Sequence, residues 1–278
     1  MEKLRKDPIP YLMSNASAVS KLKFLAVLGE SESGESLKII GKMRNAQNSE
    51  GSWGKPALVN GTAYVLYVLL EAGESKNSKI AMDAANWLFR RQRLDSAWTE
   101  NVEPPKFVQG IVLVDRDCTW ITGNVVQVLI KAGFKKDPRV KGAVDYLKST
   151  QNSDGGWPPW RGGESTLSIM DYIIKAFIDY GEAKNSSYIN AALKYVLSRS
   201  LQWTPFEASA VLPILLSVGY KQTDNAVRTC LMVLTKTQNE DGGWTYPEKT
   251  RGSDPELTAH IAYWLARCGY SFKLPHSN

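Results

Sequence analysis

Apolar residues along this chain fall into two alternating patterns. The first is amphipathic, with apolar residues at helical spacing, as at Val140, Val144 and Leu147. The second is apolar around most of the helix circumference, as in the run from Thr62 to Leu70. Segments of the second kind start near Thr62, Thr119, Thr166, Phe206 and Thr258. Most end at a glycine: Gly73, Gly133, Gly181, Gly219 and Gly269. Glycine in that place suits a left-handed helix cap. A helix apolar on every side is buried on every side, so the alternation predicts two layers of helices with the wholly apolar set inside. The stretch from Pro10 to Gly29 reads as one more inner helix, which brings the number to six.

A repeated signature punctuates the pattern. Its clearest copy is Gln151-Asn152-Ser153-Asp154-Gly155-Gly156-Trp157, and a second is Gln238-Asn239-Glu240-Asp241-Gly242-Gly243-Trp244. A third runs from Gln47 to Trp53. A fourth, from Gln92 to Trp98, has lost its glycines. A fifth is degenerate, with Ser200 in the place of Gln and Trp203 arriving early. Spacings between copies are uneven, which suits helix pairs joined by loops of different length better than a rigid solenoid. The Gln is expected to bond free backbone groups at a helix end, and the Trp to stack over it. Both are fasteners and do no chemistry.

Composition narrows the class. The chain has 278 residues, 43% hydrophobic and 22% charged, with a net charge of +6; these are ordinary globular values. It reads as a single domain over 1–278, with tails at 1–9 and 273–278. No apolar run reaches the roughly 18–20 residues of a membrane span. The first residues lack the apolar stretch of a signal peptide, so a cytoplasmic address is expected. Cationic residues are scattered, which gives no nucleic-acid patch. Cys118, Cys230 and Cys268 are too far apart in sequence to suggest a disulfide framework.

The Q-x-x-x-G-x-W copies are where the chain resembles a known family. It is similar over nearly its whole length to single α/α-toroid proteins of the terpenoid cyclase and protein prenyltransferase superfamily. The resemblance implies an all-α toroid of about six helical hairpins. A local match sharpens it: Val114-Asp115-Arg116-Asp117-Cys118-Thr119 is similar to the D-x-D-D-T and D-C-T acids of class II terpene cyclases. That match implies Asp117 as the general acid, assisted by Asp115 and Cys118, protonating a polyprenyl substrate in an apolar cavity. Keeping a carboxyl protonated takes burial and a neighbouring acid. The cation then formed needs aromatic faces, and Tyr64, Trp120, Trp160, Tyr172 and Phe206 lie near inner-helix starts to supply them.

Other readings stay open from the residues alone. Asp117 also stands where an N-cap belongs, like Asn60 before Thr62 and Glu256 before Thr258. Trp120 replaces the small residue usual after the family's motif. The alternative function is a non-catalytic repeat scaffold binding an isoprenoid, a peptide, or a partner protein or second domain. A prenyltransferase-type zinc site is short of ligands, since Arg116 and Leu257 stand where Asp and His are needed and His260 reads as a core histidine. No cofactor is assigned; magnesium stays open but has no motif behind it, because no D-D-x-x-D sequence is present to bind it around a diphosphate. The Trp157–Glu164 loop reads as loop packing or as a gate. The long insertion at 101–114 reads as a candidate lid.

Overall fold

The computed structural model describes residues 3–100, 107–108, 111–112, 118–200, 203–246 and 252–274. Twelve α-helices occur among them, and the chain forms two compact units: residues 42–195, and 1–41 together with 196–278. The divisions fall inside α3 (Gly34–Asn45) and α9 (Ser187–Leu197).

The central unit contains α4 (Val59–Glu71), α5 (Lys79–Arg90), α6 (Thr119–Leu129), α7 (Pro138–Ser149) and α8 (Met170–Tyr180). Helix α6 packs between α4 and α8, with α7 also against it. It is the most buried helix of this unit: all its residues but Trp120 are buried. Gly123 explains how α8 comes so close, since a Cβ there would lie 2.9 Å from the Tyr172 carbonyl. The candidate lid contains a two-residue antiparallel ladder, Phe107–Val108 against Ile111–Val112. This hairpin is the one strand pair in an otherwise helical set of described residues, beside three isolated bridges.

The other unit contains α1 (Ile9–Asn15), α2 (Ala18–Val27), α10 (Pro205–Val218), α11 (Asn225–Lys236) and α12 (Pro255–Arg267). Helix α12 packs on α1, α2 and α10. The leading segment is two helices here, where the hydrophobic pattern predicts one. The break is at Ala16 and Ser17, both extended. Ser17 caps α2, and Glu256 accepts from the Ser17 amide at 2.8 Å and from the Ser20 hydroxyl, which stabilises the break with a carboxylate at a helix N-terminus.

The repeat signature has a division of labour different from the expected one. Each Trp indole N–H donates to a carbonyl in the last turn of its own preceding helix: Trp53 to Met43, Trp98 to Leu88, Trp157 to Leu147 and Trp244 to Leu234, at 2.7–2.8 Å. The Trp, not the Gln, therefore serves the helix-end carbonyls. Each Gln amide spans two copies instead. Gln47 bonds Gly51 and Ile80, Gln92 bonds Ser96 and Arg139, and Gln151 bonds Gly155 and Tyr188. Gln238 bonds Gly242 and Lys6, so Lys6, placed in a tail by the sequence reading, is fastened to the last copy. In the degenerate copy the buried Trp203 indole N–H has no partner among the described residues.

Candidate functional site on α4, α6 and α8

Shared hydrogen bonds set the register of the even-numbered helices. The Trp backbone N–H meets a threonine hydroxyl in three copies: Trp53 with Thr62, Trp98 with Thr122 and Trp244 with Thr258. Thr122, not Thr119, is thus the counterpart of Thr62. Four residues before each threonine stands the N-cap: Leu58, Cys118 and Asp254. Thr166 holds the same place before α8, since its amide bonds Trp157 O as Cys118 bonds Trp98 O and Asp254 bonds Trp244 O. The N-cap reading of Asp117 is corrected accordingly. Cys118 is the cap of α6, extended at φ −118°, and Asp117 is the residue before it. Asp115 and Asp117 themselves lie outside the described residues.

That register reveals a pattern the hydrophobic reading missed. Counted from each cap, four positions recur at helical spacing: Asn60, Tyr64, Tyr67 and Glu71 on α4; Trp120, Asn124, Gln127 and Lys131 along α6 and its continuation; Ser168, Tyr172, Lys175 and Asp179 along α8. On α12 the set is Glu256, His260, Tyr263 and Arg267. Such spacing puts each set on one face. These helices are not apolar all round, because each keeps one polar and aromatic stripe beside its apolar residues.

Within the central unit the three stripes meet. Asn124 Nδ2 donates to Asn60 Oδ1 at 2.7 Å, and Gln127 Nε2 donates to Tyr172 O at 2.7 Å. The Trp120 and Tyr172 rings lie 6.0 Å apart. Lys131 Nζ lies 2.5 Å from Glu71 Oε1, and both Lys131 and Lys175 place their ammonium groups over the Tyr67 ring, at 5.6 and 5.7 Å. Lys175 of α8 thus reaches Tyr67 of α4 across α6. Asn124 and Gln127 are buried, whereas Tyr64, Tyr67, Tyr172 and Lys175 are half-buried. We call this surface the furrow: α6 lies in its middle, with Asn124 and Gln127 buried, and α4 and α8 flank it. Its N-terminal end is aromatic, its middle carries amides, and its far end is ionic.

The N-terminal end is held firmly. The Thr119 amide donates to Pro159 O at 3.0 Å, and its hydroxyl donates to Pro158 O. The 157–163 loop is thereby packed on the start of α6, as Asn152 fixes its other side through Gly163 O and Ser165 Oγ. Helix α4 is capped at the equivalent place by a carboxylate: Glu100 accepts from the Val59 and Asn60 amides at 2.8 and 3.0 Å. Burial pushes the Glu100 carboxyl above the usual carboxylate range, and the two amide bonds pull it back. Sequence reasoning missed Glu100. Its signal is positional, two residues after a repeat Trp, where Pro159 stands in the next copy.

The candidate residues are thus brought together only in part. Tyr64, Trp120 and Tyr172 belong to the furrow, and Cys118 ends it. Trp160 follows the two prolines and is 42% exposed, with its indole folded back over Gly163. Phe206 belongs to the other unit, where its ring packs on Tyr246 at 5.0 Å. His260 has a specific role there: Pro213 lacks the N–H that would bond Ser209 O in α10, and His260 Nε2 lies 3.2 Å from that carbonyl. Cys230 and Cys268 are fully buried, and burial raises both thiols, Cys268 to about 11, so they are inert packing groups.

Comparison with known proteins bears on the same region. Residues 105–203, which span α6 to α9, match the squalene-hopene cyclase C-terminal domain. The squalene–hopene cyclase of Bradyrhizobium diazoefficiens is 30% identical over 125 residues, covering 44% of this chain and 19% of that one. The drimenyl diphosphate synthase of Streptomyces showdoensis is 28% identical over 140 residues, covering 45% of this chain and 26% of that one. The fold is similar to the type II terpene cyclase MstE from Scytonema, at TM-score 0.68 and 16% identity, covering 91% of this chain and 87% of that one. A variant of the same enzyme, in complex with geranylgeranyl dihydroxybenzoate, matches at TM-score 0.67, with 16% identity and coverage of 90% and 86%.

This chain is similar to the squalene-hopene cyclases in sequence over residues 105–203 and to the type II terpene cyclases in fold.

Its all-α architecture is similar to the α/α-toroid fold of those cyclases. The sequence match spans about a fifth of the length of the squalene–hopene cyclase relative. No helix among the described residues is long and apolar enough to cross a membrane.

Proposed function

We propose that the chain is a terpenoid-cyclase-like enzyme that starts cyclisation of a polyprenyl substrate by protonation from Asp117. The observation that carries this reading is the aromatic end of the furrow beside the Cys118 cap, the residue that follows Asp117 in the sequence. Asp117 directly precedes the Cys118 cap, and Trp120, two residues beyond that cap, faces Tyr172 at the aromatic end. An acid delivered there meets the end of the furrow best able to stabilise a carbocation, because aromatic faces attract cations electrostatically.

The roles follow from placement. Asp117 gives a proton to a terminal alkene or epoxide, with Asp115 as the neighbouring acid and Cys118 holding the segment at the helix start. Trp120, Tyr172 and Tyr64 screen the cation from water while rings close. Loss of a proton from the final cation ends the reaction. The Cys118 amide bonded to Trp98 O and the Thr119 amide bonded to Pro159 O fix the segment on its C-terminal side, which a positioned acid requires.

The test is product analysis after incubation with squalene, with geranylgeranyl diphosphate and with geranylgeranyl dihydroxybenzoate. Asp117→Asn is expected to abolish cyclisation with an unchanged helical circular-dichroism spectrum. Retained turnover in that variant sinks the proposal. Ligand binding without turnover in the unmodified chain supports the scaffold reading instead.

A further inference from the structure

Two residues of α6 depart from what its counterparts carry at the same register. Five residues after the cap, α4, α8 and α12 have Ala63, Asp171 and Ala259, whereas α6 has Gly123. Nine residues after it, they have Tyr67, Lys175 and Tyr263, whereas α6 has Gln127, an amide only 4% exposed. Gly123 and Gln127 are one helical turn apart and share a face. Both are directed at one peptide of α8. A Cβ on Gly123 would lie 2.9 Å from the Tyr172 carbonyl carbon and oxygen and 3.1 Å from the Ile173 amide nitrogen. Gln127 Nε2 donates to that same Tyr172 oxygen at 2.7 Å.

Stability explains neither residue. The Tyr172 carbonyl lies inside α8, where a regular helix bonds it to the Ala176 amide, so it needs no second donor. Burying an amide to supply one adds little net stability, and glycine in a helix interior is destabilising relative to alanine. What the two contacts fix is position. Gly123 sets how near α8 lies, and Gln127 sets its register along α6, as a single buried polar residue sets register in a coiled coil. The ring borne by the clamped residue is Tyr172. Trp120, one turn before Gly123 on the same face, meets it at 6.0 Å with the ring planes at 52°. Toward α4 the contact is between side chains, Asn124 to Asn60, and reaches no main chain.

We propose that Gly123 and Gln127 are positioning residues that hold the Tyr172 ring at a set distance and register from Trp120, and so fix the geometry in which the aromatic end meets a cation. This rests on the reading of that end as the place where a carbocation is stabilised. Cation–π attraction acts within about 6 Å of a ring centroid. A slide of α8 by one residue's rise, about 1.5 Å, therefore takes much of the Tyr172 ring out of range. Neither Gly123 nor Gln127 touches the reacting atoms; both act through the Tyr172 main chain.

The experiment has two readouts on the full chain. The near-ultraviolet circular dichroism of the unmodified chain minus that of Trp120→Phe isolates the Trp120 signal, to which the neighbouring Tyr172 ring contributes. Calorimetric titration with geranyltrimethylammonium and with neutral geraniol measures the preference for a cation. Gln127→Leu strands no main-chain group, so the far-ultraviolet spectrum and the urea midpoint are expected to stay nearly unchanged. It is expected to alter the Trp120 signal and to lower the cation preference about fivefold, the size of one cation–π contact, as Tyr172→Leu does. Gln127→Met, which keeps the side-chain length without the donor, is expected to match it. After Tyr172→Leu, neither substitution is expected to change either readout further. Additive effects overturn the proposal. So does a cation preference that survives Gln127→Leu and Gln127→Met but is lost in Tyr172→Leu, and that outcome leaves the carbocation reading standing. A Trp120 signal that depends on Gln127 through Tyr172, with no Tyr172-dependent cation preference in the unmodified chain, does the reverse: the clamp stands and the carbocation reading falls.

Discussion

At the scale of single residues, two polar groups in the described structure answer needs created elsewhere in the chain. Pro213 takes a donor out of α10, and the Ser209 carbonyl it strands is met by His260. Losing that partner leaves a carbonyl unsatisfied, at a cost of about 1–3 kcal/mol. His260→Ala is therefore expected to lower the urea midpoint, and Pro213→Ala to suppress the loss by restoring a main-chain donor. Equal losses in the two backgrounds would show that His260 acts by packing alone. Glu100 gives a pH signature. Its carboxyl titrates above its unfolded value because burial outweighs its two amide bonds. The folded state thus holds more protons than the unfolded one across the interval between the two values, and stability falls as pH rises through it. Glu100→Gln is expected to flatten that part of the stability–pH curve in urea titrations between mildly acidic and neutral pH.

At the scale of elements, the copy that lost its glycines shows what those glycines do. Gly51 and Gly155 are left-handed, and a Cβ on either would come within 2.4 Å of the main chain of the next helix, at Asp83 or Ala191. Ser96 occupies the same position, still left-handed at φ 69°, and the helix residue in the place of Asp83 and Ala191 is Gly142. The space was given up on the helix instead of the loop. Gly155→Ala is expected to cost about 2–4 kcal/mol, from the left-handed backbone and the overpacking together. Gly142→Ala is expected to cost less after Ser96→Gly, because its Cβ would lie 2.8 Å from the Ser96 hydroxyl. Additive losses in that double-mutant cycle would refute the exchange. This trade is invisible in a reading that scores Gln92–Trp98 as a decayed copy. Helix type, by contrast, was legible from apolar spacing, and the helix ends from Gly73, Gly181 and Gly219, all left-handed. The roles of Gln and Trp were legible as fastening but not in their detail, because spacing does not say which carbonyl each side chain reaches.

At the scale of the whole molecule, the chain's first residues take the place of the next copy for its last one. Lys6 exchanges two hydrogen bonds with the Gln238 amide, and a Cβ on Gly242 would lie 2.7 Å from Asp7 O. Removing residues 1–8 strands a Gln238 side chain that is 1% exposed. It is expected to cost about 1–3 kcal/mol of stability, read as a lower thermal midpoint; an unchanged midpoint would contradict the fastening role. The candidate site was half legible at this scale. Tyr64, Trp120 and Tyr172 were found because aromatics near helix starts are conspicuous. Gln127, Lys131, Lys175 and Glu71 were not, because a single polar residue in an apolar helix reads as noise until neighbouring helices are set in register. That shared register makes the furrow a ruler. Its aromatic and ionic ends are separated by backbone rise, so side-chain substitution leaves their spacing almost untouched, and inserting one residue between them turns the ionic row away by roughly 100°. The spacing of the two ends is therefore quantised, open to change by whole helical turns and closed to finer adjustment.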